Sequence, residues 1–142
     1  MNYHWLGVDL DGTLAEYAGW VSIKHIGAPV KKIVEQVKAL RIKGVTIKIF
    51  TARVSEGPEA IPYINAWMEE HLGEILEVTN VKDLYMTELW DDRAKQIIPN
   101  TGIAIEDELE IIRDENEYLK SRLEELERDA EDDRQEIKIL TD

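Results

Sequence analysis

The stretch Trp5-Leu6-Gly7-Val8-Asp9-Leu10-Asp11-Gly12-Thr13 constrains the fold more than any other part of the chain. A short apolar run that ends in two carboxylates two positions apart reads as a buried strand breaking into a turn. Gly12 supplies the backbone freedom for that turn. Carboxylates placed so close repel each other unless a cation lies between them, and a hard divalent ion such as Mg²⁺ takes oxygen ligands of this kind. A strand-ending Asx turn without chemistry is the plain alternative.

The rest of residues 1–102 alternates strand and helix signals. After a Gly- and aromatic-containing connection over 12–29, in which Ala18-Gly19-Trp20-Val21 could form a small hairpin flap, Pro29 suits a first helical turn. Val30, Ile33, Val34, Val37 and Leu40 then recur at helical spacing, and Gly44 is a stop. Val45 to Phe50 is β-branched and apolar, a second strand that ends at Thr51-Ala52-Arg53. A second helix is predicted over Pro58–Leu72, with Pro62 in its first turn or marking its start and Gly73 as its stop. Further strands are predicted at 75–79, at Thr87–Trp90 running into Asp91-Asp92-Arg93, and at Lys95–Ile98. Alternation of this kind predicts an α/β domain with a parallel sheet and right-handed crossovers. Ligands of such sheets gather at the carboxyl ends of the strands.

Asp9, Asp11, Thr51, Asp91 and Asp92 would all fall at strand ends, with Lys82 a short segment before the fourth strand. This order resembles the haloacid dehalogenase-like (HAD) superfamily: an Asp-x-Asp-Gly-Thr first motif, a Thr ending the second strand, a Lys, and an acidic pair after an apolar strand. Thr51-Ala52-Arg53 and Trp90-Asp91-Asp92-Arg93-Ala94 look, more narrowly, like the small cap-less HAD-like hydrolases of bacteriophages and bacteria. The resemblance covers roughly residues 5–100. It implies a three-layer, Rossmann-like parallel sheet over a core spanning 1–102, and a Mg²⁺-dependent phosphatase acting on a small phosphate monoester such as a nucleotide.

The same resemblance implies the roles. Asp9 would be the nucleophile that forms an aspartyl-phosphate. Asp11 would protonate the leaving oxygen and then activate water. Mg²⁺ would be held by Asp9, the backbone carbonyl of Asp11, and Asp91 or Asp92. Thr51 and Lys82, with Lys95 as the fallback, would bind phosphoryl oxygens. Arg53 and Arg93 are candidates either for substrate contact or for pairing with nearby carboxylates. Tyr17 and Trp20 either line the entrance or pack in the core. His4, His25 and His71 show no ligand spacing. The intervals between motifs are filled by the elements above, so no sizeable cap domain is expected. The alternative from another class is an inactive HAD-like structural or interaction protein that works through its C-terminal helix.

Composition narrows the partners. Cysteine is absent, no apolar run nears the roughly 18 residues of a membrane span, and no basic-then-apolar leader opens the chain. A cytoplasmic protein is therefore expected, in the host cytoplasm if the chain is phage-encoded. The formal net charge is −13, and no basic patch suggests docking on a nucleic-acid polymer. That charge is uneven: residues 1–102 hold 14 acidic and 11 basic side chains, whereas residues 103–142 hold 16 and 6. The change marks a boundary at the turn formers Pro99-Asn100-Thr101-Gly102.

Beyond that boundary a heptad runs through the chain. Ile105, Ile112, Leu119, Leu126, Asp133 and Leu140 take position d, and Leu109, Asn116, Leu123, Ala130 and Ile137 take position a. In a parallel pair, position g faces e of the next heptad. The resulting pairs, Glu108–Arg113, Glu115–Lys120, Arg122–Glu127 and Asp129–Arg134, are all attractive. A long coiled-coil helix over 103–142, pairing as a parallel homodimer through 103–140, is predicted. A single amphipathic helix folded back on the core is the simpler reading.

Overall fold

The computed structural model describes residues 3–141. It is a mixed α/β protein with a four-stranded parallel sheet and a long C-terminal helix, divided into two compact units, Met1–Ala94 and Lys95–Asp142. Among the described residues, no helix is long and apolar enough to cross a membrane.

In the first unit the strands are β1 (Trp5–Val8), β2 (Ile47–Phe50), β3 (Val78–Thr79) and β4 (Met86–Trp90), in the order β3-β2-β1-β4. Every neighbouring pair is parallel. β1 is central and buried along its whole length, as a strand inside a parallel sheet must be. Helix α1 (Lys31–Ile42) connects β1 to β2, and α2 (Ile61–Leu72) connects β2 to β3. Two short 3₁₀ turns, Ala52–Glu56 and Pro58–Ala60, lead into α2. Pro62 lies in the first turn of α2, where its missing N–H costs nothing, and Gly73 closes the helix in the left-handed conformation.

Side chains alternate across the sheet, and the register sets Leu6 beside Ile47 and Val8 beside Ile49. These four join Val34 and Val37 of α1 and Ile64, Trp67 and Met68 of α2 in one buried cluster. Both helices thus cover the same face. Both crossovers step the same way across the sheet, and a right-handed connection then puts its helix on the same side each time. On the other face Trp5 packs against Phe50 and lies under the ammonium of Lys48, 4.7 Å from its ring centre. Among the described residues of Met1–Ala94 no helix covers the second face, because the chain returns from β3 to β4 through residues 80–85 without a helix.

Two further expectations are corrected. Ala18–Val21 forms no strand. The 12–29 connection is instead an irregular loop closed at its neck by an antiparallel bridge between Ala15 and Pro29 and by the Glu16 N–H on Ala28 O, 2.7 Å. The Trp67 indole ties it to α2 through Gly27 O, 2.9 Å. Lys95–Ile98 adds no fifth strand to the sheet. Ile98 N–H bonds Ile103 O at 2.9 Å, and Ile105 N–H bonds Gln96 O at 3.0 Å, around the predicted Pro99–Gly102 turn. This stretch thus bonds to 103–105, the segment just after the turn. In the second unit this turn precedes α3 (Ile105–Thr141), 37 residues long with none buried.

Candidate metal and phosphoryl-transfer site

The strand order 3-2-1-4 changes direction between β1 and β4, so the carboxyl ends of these two strands flank a crevice. The Asp9 N–H donates to Trp90 O at 2.9 Å, which locks those two ends together and sets Asp9 beside Asp91. One carboxylate oxygen from each of Asp9, Asp91 and Asp92 lies within 4.8 Å of the others. Asp9 is buried, Asp91 half-buried and Asp92 exposed, so the cluster grades from the interior to solvent.

The turn after Asp9 is tight. Ala15 N–H and Leu14 N–H both bond Leu10 O, at 2.8 and 3.0 Å, and Leu14 and Ala15 anchor it in the core. Gly12 occupies φ +91°, and a Cβ there would stand 2.4 Å from Asp92 Oδ2. Only glycine lets the first acidic loop and the second approach so closely. Thr13 joins them: its Oγ1 accepts the Asp92 N–H at 3.0 Å and lies 3.3 Å from Asp92 Oδ1 and 3.5 Å from Asp9 Oδ2.

Burial, followed by the Asp91 charge and then by the hydrogen bond and charge of Asp92, pushes the Asp9 carboxyl from its ordinary 3.8 up to about 7. Three carboxylates gathered within 4.8 Å, with all-oxygen donors, could hold a hard divalent cation. Asp9, Asp91 and Asp92 are the side chains that could hold such an ion.

Thr51 is buried at the end of β2, next to β1. Its Oγ1 accepts the Arg53 N–H at 3.2 Å, and among the described residues its own hydroxyl hydrogen has no acceptor. Asp11 is not in the carboxylate cluster. Both its oxygens are gripped by the Arg53 guanidinium, Nε to Oδ2 at 2.6 Å and Nη2 to Oδ1 at 2.8 Å. The remaining Arg53 donors reach loop carbonyls: Nη2 to His25 O at 2.8 Å, and Nη1 to Ser22 O and Ile23 O at 3.4 Å each. The ring of Trp20 stacks 5.0 Å from its Cζ. Of the two options for Arg53, pairing with a carboxylate is the one realised; all five of its N–H groups are committed.

Arg93 is exposed, with its backbone N–H on Asp91 Oδ1 at 2.7 Å. It lines a pocket of about 130 Å³ together with Asp11, Tyr17, Trp20 and Ser55. Tyr17 and Trp20 are half-exposed at this mouth rather than in the core. Lys82 lies in the connection between β3 and β4. It is exposed and makes no hydrogen bond or ion pair among the described residues. Its neighbour Asp83 accepts the Trp5 indole N–H at 2.9 Å at the start of β1, the opposite end of that strand from Asp9. Lys95 belongs to the second unit, where its ammonium is 3.9 Å from Asp107. Thr13 and the choice of Asp11 as the carboxylate that Arg53 pairs with are what sequence reasoning did not assign. Thr13 was visible in the motif, whereas the Arg53–Asp11 fork joins residues 42 apart and had no local signal.

No family model matches the chain, and no curated protein matches it. Among solved structures, a conserved protein from Bacteroides thetaiotaomicron is similar at 21% identity and a TM-score of 0.50, over 67% of this chain and 80% of that one. That likeness concerns the fold alone.

Proposed function

We propose that the protein is a Mg²⁺-dependent phosphomonoester hydrolase with a Rossmann-like, cap-less HAD-like core. The observation that carries this reading is the gathering of Asp9, Asp91 and Asp92 within 4.8 Å at the point where the strand order reverses. When bound, the cation would neutralise the cluster and screen the nucleophile from the anionic substrate. An Asp9 oxygen attacks phosphorus, the bond from phosphorus to the ester oxygen breaks, and the departing alkoxide takes a proton from Asp11. Asp11 then takes a proton from water as that water attacks the phosphorus of the aspartyl-phosphate, which frees inorganic phosphate and restores Asp9. Each Asp11 oxygen keeps a second lone pair beside its bond to Arg53, so the fork orients the carboxylate without using it up. The uncommitted Thr51 hydroxyl is the donor available to a phosphoryl oxygen.

The test is phosphate release from nucleotides, sugar phosphates and p-nitrophenyl phosphate, with Mg²⁺ or with chelator. Asp9→Asn and chelation should each lower turnover by on the order of 10³-fold or more. Turnover that survives both would refute the mechanism. A second reading, an inactive HAD-like binding protein, is favoured by one observation: Lys82 makes no ion pair with the carboxylates among the described residues. It requires Mg²⁺ binding without turnover on the whole panel.

A further inference from the structure

Helix α3 is a 37-residue rod, about 55 Å long at 1.5 Å per residue, and none of its residues is buried. The stripe through Leu109, Ile112, Leu119, Leu123, Leu126 and Ile137 is bare, with Leu119 and Leu123 at its centre 60% and 57% exposed. Leu109, Ile112 and Asn116 floor a shallow groove along it, flanked by Arg113 and Lys120. A helix this polar on its flanks and this apolar along one narrow seam buries that seam against another helix. We infer that the occupant is α3 of a second copy of this chain, parallel and in register.

Charge selects that arrangement. In the parallel pair the four g–e contacts occur twice each and every one is attractive. The antiparallel register that seats Leu123 against Leu119 sets Glu108 against Glu136, Glu115 against Asp129 and both Arg122 and Lys120 against themselves, offset only in part by Glu106–Arg134 and Arg113–Glu127. Sliding by one heptad sets Glu115 against Glu136 and Arg113 against Arg134, which cancel Arg122–Asp129 and Lys120–Glu127, so neither antiparallel register matches the all-attractive parallel set. Asn116 points the same way. In register it meets its own copy, amide to amide, while the two antiparallel registers set it against the apolar Leu126 or the carboxylate of Asp133. Ala130 and Asp133 mark the weak end of the seam, where a small side chain is followed by two facing carboxylates.

The experiment uses the full chain. Light scattering should give twice the 16.4 kDa chain mass. Glu115 has no charged neighbour three or four positions away on its own helix, so Glu115→Lys reports on the partner. It should weaken a parallel dimer roughly tenfold, with Lys120→Glu restoring it in the double variant. It would tighten either antiparallel pair. Because the chain contains no cysteine, an introduced one is unique. Oxidation should cross-link Asn116→Cys quickly, since in-register seam positions lie within disulfide reach, and leave Ser121→Cys on the outer face uncross-linked. A monomeric mass, a dimer tightened by Glu115→Lys, or equal cross-linking of the two variants would overturn the inference.

Discussion

Asp9 carries a protonation signature because burial and two neighbouring carboxylates all oppose its charge. Its folded-state value of about 7 stands above the ordinary 3.8. A group raised in this way contributes stability that is fully present below its unfolded value and is lost as pH rises through the folded one. The metal-free protein should therefore lose stability between pH 3.8 and about 7. Mg²⁺ should offset that loss by taking the place of the proton. Thermal melts with Mg²⁺ or chelator should show a larger Mg²⁺-induced rise in Tm at pH 8 than at pH 5.5, and a rise independent of pH would contradict the proposed ligand set. Arg53 supplies a second signature. Arg53→Lys keeps a positive charge but cannot make the two-pronged contact to Asp11 or hold three loop carbonyls. It should cost about 2 kcal/mol, read as a lower urea midpoint with unchanged slope. Under the hydrolase reading it should also lower kcat more than it raises KM, because Asp11 would lose its orientation.

One turn and one loop set the precision of the site at the scale of elements. The Asp9–Ala15 turn is held by its own backbone bonds and by the burial of Leu10 and Leu14. Gly12→Ala would force a Cβ against Asp92 in a conformation that L-residues rarely adopt. The expected cost is about 1–2 kcal/mol, together with roughly tenfold weaker Mg²⁺ binding by calorimetric titration, as Asp92 is displaced. Unchanged affinity would remove Asp92 from the site. The 15–29 loop is fastened at its neck, to α2 through Trp67, and to the site through Arg53, so the wall that carries Tyr17 and Trp20 is coupled to the orientation of Asp11. Several elements were legible in advance. The second helix was predicted over Pro58–Leu72 and forms as two 3₁₀ turns followed by α2, because Pro62 cannot be an interior helical donor. The strand expected at Lys95–Ile98 failed because a short apolar run does not reveal whether its partner is a sheet or its own return.

For the molecule as a whole, the two units hold themselves together by different means. Met1–Ala94 has a shared core beneath its sheet, while α3 has a bare seam. If α3 pairs between chains, its melting obeys mass action and that of the sheet unit does not. Scanning calorimetry at protein concentrations a hundredfold apart should then show one transition that rises with concentration and another that responds to Mg²⁺ alone. A single transition insensitive to both would contradict the two readings together.

Some of this followed from the sequence by itself because the physics involved is short-range. Hydrophobic period, proline and glycine stops, and carboxylates directly after apolar runs were sufficient to locate β1, β2, α1 and α2 within a few residues and to put Asp9, Asp91 and Asp92 at strand ends. The heptads of 105–140 belong to the same class, since a helix's face depends only on spacing. What only the tertiary structure decided is which strand ends meet. Backbone pairing of β1 with β4 brings the acids at 9 and 91–92 together, and the 42-residue closure from Asp11 to Arg53 turns a candidate substrate contact into a clamp. The path of residues 80–85 brings Asp83 to the start of β1. These are long-range outcomes of strand order, and no local preference in the chain encodes them. The motif that opens the chain thus specifies its own turn, and the neighbours of that turn are chosen by the sheet.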